Sequence, residues 1–154
     1  MHCRPSVEAV DIRRKLAASN PQAFLPDLAM SLNNLGLLLS DLGLGRSEDA
    51  LAPSEEAVDI RRKLAASNPQ AFLPNLAMSL RSYGRVLQAM EHDREAAQAF
   101  VEGLHHLAPF YQELPQAYSS LGMGLVQDYL QACQKAGLEP DAVLLSQFAE
   151  LSQI

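Results

Sequence analysis

Apolar residues recur along most of the chain at the three-and-four spacing of one helical face, and no stretch alternates as a half-buried strand would. Ala9, Ile12, Leu16 and Ala17 predict a helix over 6–19, stopped by Asn20-Pro21, because proline disfavours helical geometry in the residue before it. Residues 20–26, Asn-Pro-Gln-Ala-Phe-Leu-Pro, read as a linker, with Pro26 in the first turn of a helix over 26–41. That helix carries Leu28, Leu32, Leu35 and Leu39 as its buried stripe, and the Leu42-Gly43-Leu44-Gly45 run ends it. A third helix runs from about 46 to 67 through Ala50, Ala57, Ile60 and Leu64. The same linker returns over 68–74, followed by a helix over 74–91 with Leu76, Leu80, Tyr83 and Leu87 inside. The remaining segments are 94–107, closed by Pro109, then 115–136, with Gly137 suited to a C-cap, and 141–151. The pattern predicts an all-α chain of seven helices.

Residues 54–80 repeat residues 6–32 with 25 of 27 positions identical, at an offset of 48. Self-similarity at a fixed period of this size marks a stacked array of helical units. Two further positions recur within each unit. Leu32, Leu35, Gly36 and Leu39 are followed by Ala50, and Leu80, Tyr83, Gly84 and Leu87 by Ala96 and Phe100. Glycine and alanine at such points let two helices approach backbone to backbone while large residues fill the space around them. This arrangement resembles the tetratricopeptide repeat family, whose signature is a large residue, Leu-Gly, an aromatic, then Ala-x3-Phe and Pro. The offset of 48 exceeds that family's period of about 34 and is similar to the long-period, kinesin-light-chain-like variety. Helical arrays of the HEAT and armadillo kind have a closer period, of about 40–47, but lack the Gly and Ala positions that match twice here.

The resemblance implies an all-α, right-handed superhelix of helix pairs, a tetratricopeptide-like solenoid. It comprises an unpaired helix 6–19, repeats 26–67 and 74–108, and a divergent helical pair over 110–154 acting as a cap. It further implies a concave groove that holds a peptide or protein, formed mainly by the first helix of each pair. Carried over through Gly36 and Gly84, the groove positions are Met30, Asn33, Leu37, Ser40 and Asp41, and Met78, Arg81, Arg85, Gln88 and Ala89. Arg81 and Arg85 stand one helical turn apart where the first unit has Asn33 and Leu37, so the copies diverge where a ligand would touch. Two guanidinium groups suit an acidic peptide.

Composition narrows the function classes. The chain has 154 residues, 48% of them hydrophobic, enough for a packed core. Its 18 acidic and 12 basic side chains give a net charge of −6, which argues against nucleic acid or an anionic membrane surface as partner. Arg13-Arg14-Lys15 and Arg61-Arg62-Lys63 lie beside Asp11 and Asp59 and read as solvated, paired faces. Cys3 and Cys133 have neither metal-like nor disulfide-framework spacing, and Cys133 reads as a buried structural thiol. His105 and His106 are adjacent, hence splayed on a helix, and metal and cofactor sites are not expected. No acid–base pair or activated nucleophile is evident, so the expectation is a non-enzymatic cytoplasmic scaffold. The alternative is a C-terminal sensor or regulatory segment of a larger signalling NTPase or protease. The helix over 6–19 lacks a preceding partner, which leaves an apolar face open to homodimerisation.

Overall fold

The structure is a computed structural model that describes residues 4–41 and 47–149, with the side chains of residues 4, 5, 41 and 47 outside that description. Seven helices occur among the described residues: α1 (Arg4–Ser19), α2 (Pro21–Asp41), α3 (Ser47–Ser67), α4 (Pro69–Ala89), α5 (Asp93–Glu113), α6 (Pro115–Ala136) and α7 (Ala142–Ser146). Helices α1 to α6 each pack against their neighbours in the chain, α2 also touches α4, α4 touches α6, and α7 packs against α5. The expected helix end at Leu42–Gly45 and residues 150–154 lie outside the described residues.

The two seven-residue linkers are not linkers. Only Asn20 separates α1 from α2 and only Asn68 separates α3 from α4, and Pro26 and Pro74 stand inside helices. The Asn-Pro dipeptide both stops one helix and starts the next. Asn68 Oδ1 accepts the Ala71 N–H at 3.3 Å, and Pro69 occupies the first helical position, where a missing N–H removes no bond. Asn20 repeats this with Ala23 at 3.4 Å. Pro26, the sixth residue of α2, forgoes one backbone bond near the helix start. Burial compensates: Phe24 and Leu25 join the α1–α2–α3 cluster, and Phe72 and Leu73 join the α3–α4 cluster.

Proline is equally misleading in α5, which passes Pro109 and ends at Glu113. Leu107, Ala108 and Tyr111 on either side are buried, so packing extends the helix beyond the expected stop. Here too a single residue, Leu114, joins α5 to α6. Pro115 therefore stands in register with Pro21 and Pro69, not with Pro26 and Pro74. The sequence signal is Pro-Gln-Ala-aromatic, present three times as Pro21–Phe24, Pro69–Phe72 and Pro115–Tyr118. At an offset of 46 from α4, Tyr83 falls on Tyr129, and buried Val86 and Leu87 fall on buried Ala132 and Cys133. The third pair keeps the register of the first two.

Gly36 and Gly84 both stand where the facing helix leaves no room for a side chain, although at Gly84 a phenylalanine ring and not the backbone fills the space. A Cβ at Gly36 would overlap Ser54 Oγ and lie 3.4 Å from the Ala50 carbonyl, and one at Gly84 would strike the Phe100 ring. At the far end, Gly137 (φ 67°) caps α6 in the left-handed conformation. The last helix is shorter than expected. Asp141 caps α7 by accepting the Leu144 N–H at 3.0 Å, and the chain turns at Gln147 so that buried Phe148 stacks on Tyr111, centroids 5.0 Å apart.

Candidate functional site

The candidate positions lie on the row formed by α2, α4 and α6. Met30 and Met78 hold equivalent places on α2 and α4 and are 43% and 38% exposed, large for apolar side chains in a protein of this size. Leu37 is half-buried, Ser40 half-buried and Ala89 exposed, while the Asp41 side chain lies outside the described residues. Asn33 is buried with its Oδ1 lacking a hydrogen-bond partner, so neither arginine donates to it. Gln88 is half-buried, with Nε2 equally unpartnered.

Arg81 and Arg85 do not form the expected free pair. Arg81 Nε donates to Asp128 Oδ2 on α6 at 2.8 Å, a part-buried ion pair. Its guanidinium lies against Gly124, where a Cβ would come within 2.6 Å of both terminal nitrogens. Gly124 stands at the position of Met30 and Met78, so the methionine is missing on α6 where Arg81 needs the space. Arg81 thus ties α4 to α6, and Arg85 alone is exposed.

The basic triplets also divide. Arg61 is 5% exposed and donates to the Asn75 carbonyl (2.8 Å) and Ser79 Oγ (2.7 Å) on α4. It is not a solvated surface residue: burial pushes its guanidinium down to about 10, which leaves it cationic at neutral pH. Arg13, its counterpart, is half-buried and donates to the Asp27 carbonyl and to Ser31 Oγ. Arg14 and Arg62 do face solvent, each beside its own Asp11 or Asp59. They also reach further: Arg14 pairs with Glu56 of α3 at 2.7 Å, and Arg62 with Glu102 of α5 at 2.8 Å. The two pairs form one repeated rung linking every second helix. An Arg in one copy and a Glu one unit later was the signal, legible only once α5 is placed in register.

Cys133 is buried, and desolvation pushes its thiol up, away from the thiolate a nucleophile needs. No group of three or more His, Cys, Asp or Glu residues is disposed to hold a metal among the described residues. Nor is any described helix long and apolar enough to cross a membrane. No protein-family model, curated protein or solved structure matches this chain.

Proposed function

We propose that the chain is a tetratricopeptide-like solenoid of long units, coiled as a right-handed superhelix, that works without catalysis as a protein- or peptide-binding scaffold. The groove is the α2–α4–α6 row. The observation that supports this reading is the pair of exposed methionines at equivalent points on α2 and α4, beside exposed Arg85. Thioether side chains are flexible and polarisable, and adapt to the shape of an apolar ligand side chain. Arg85 supplies a cation that pairs with no carboxylate among the described residues, whereas the charge of Arg81 is already matched by Asp128. The ligand class is therefore a peptide with an apolar side chain near an acidic one.

Peptides selected by display against the intact chain test the proposal. Replacing Met30, Met78 and Arg85 together by alanine is expected to weaken the selected peptides by about tenfold or more, with the melting curve unchanged. Undiminished binding would refute the groove assignment.

A further inference from the structure

Helix α3 shows both of its faces covered, and α1 repeats its sequence with only one covered. Toward α4, α3 buries Val58 and Ala65 against Leu76 and Leu80. Toward α2, it buries Ala57 and Ile60 in the cluster that holds Leu28, Leu32 and Leu35. In α1 the first of these faces is covered by α2, through buried Val10 and Ala17. The second is bare: Ile12 is 59% exposed where Ile60 is 9%, and Leu16 is 39% exposed where Leu64 is packed.

The polar details of the bare face match as well. Ser54 lies against Gly36, where no Cβ intervenes. Its counterpart Ser6 borders an open concavity of about 270 Å³ shared with Ala9, Arg13, Ser31 and Asn34. Glu56 and Glu102 each accept an arginine from two helices earlier, and their counterpart Glu8 is exposed. The face thus specifies its cover: a leucine-striped helix with glycine opposite Ser6, preceded by a helix whose arginine reaches Glu8.

We propose that the bare face of α1 docks a further helix pair of the α1–α2 type. Among its described residues, a second folded copy of this chain offers no such surface. Its α2 and α4 are covered by their own α3 and α5. Its α6 carries Leu130 at the position of Gly36 and Gly84, where even a Cβ would collide with the facing helix at both observed seams.

The test uses the full chain and a fluorescein-labelled peptide of residues 21–41, whose isolated helix is marginal and orders on binding. Saturable anisotropy change is expected. It weakens about tenfold or more with I12E/L16E in the chain, and similarly with G36L in the peptide. Circular dichroism melting of I12E/L16E checks that the fold survives, as the exposure of Ile12 and Leu16 requires. Absent binding overturns the proposal, as does equal binding to I12E/L16E, because the peptide would then be displacing α2 and not covering α1. Light scattering supplies the last arm: a dimer that I12E/L16E dissolves would put a second copy on the face and also overturn it.

Discussion

Helices α1 and α3 carry the same residues from Glu8 to Ser19 and from Glu56 to Ser67, yet they hold different places in the protein. Helix α3 is enclosed by α2 and α4; among the described residues α1 packs along α2 and reaches α3 through the Arg14–Glu56 pair. Amphipathicity fixes that such a helix has an apolar stripe, but this stripe is wide enough for two neighbours. Whether Ile12 behaves as core or as surface is decided by what stands beside it and not by its own sequence. The pair of helices is thus an internal control, with local propensity held constant while tertiary environment changes.

The largest separation is expected at the isoleucines. Ile60→Glu buries a carboxylate in the α2–α3 seam and should cost more than about 4 kcal/mol, enough to abolish cooperative urea unfolding. Ile12→Glu should stay within about 0.5 kcal/mol in the same circular dichroism titration, and an equal loss at both sites would mean that the α1 face is covered in solution. A middle effect is expected at the inward arginines. Arg61→Ala removes two hydrogen bonds and the packing of a buried stem, for about 2 kcal/mol, against under about 1 kcal/mol for Arg13→Ala. Smallest are the rungs: Arg62→Ala and Arg14→Ala should each cost about 0.5 kcal/mol or less, falling toward zero in about 1 M salt. A rung that keeps its value at high salt would be more desolvated than its exposure indicates.

Much of the fold was legible because the repeat states it twice. The number and type of helices, the close approaches at Gly36 and Gly84 and the opening of α6 at Pro115 all follow from spacing and residue size. Proline misled the boundaries. Pro26, Pro74 and Pro109 each forgo a backbone bond, but Phe24, Phe72 and Tyr111 bury enough nearby surface to keep the helix going. The candidate site was legible only in part. Met30, Met78 and Arg85 are exposed, and Arg85 has no ion-pair partner among the described residues. The partner of Arg81 could not be foreseen, since Asp128 lies on a helix whose register with the repeat depends on a two-residue change in period. The inward turn of Arg61 was hidden for another reason: its acceptors are a carbonyl and a hydroxyl, which carry no charge to betray them.

The one-residue joints at Asn20, Asn68 and Leu114 have a consequence for how the chain finds its structure. A polypeptide that contains the same segment twice can pair the wrong halves, with α1 competing for the place of α3 beside α4. The joint tethers each second-position helix to the helix that follows it, at an effective concentration that no distant duplicate can match. Correct pairing then wins on proximity, before side-chain fit has been consulted. Identical segments become tolerable because the kinetics of their closure are not.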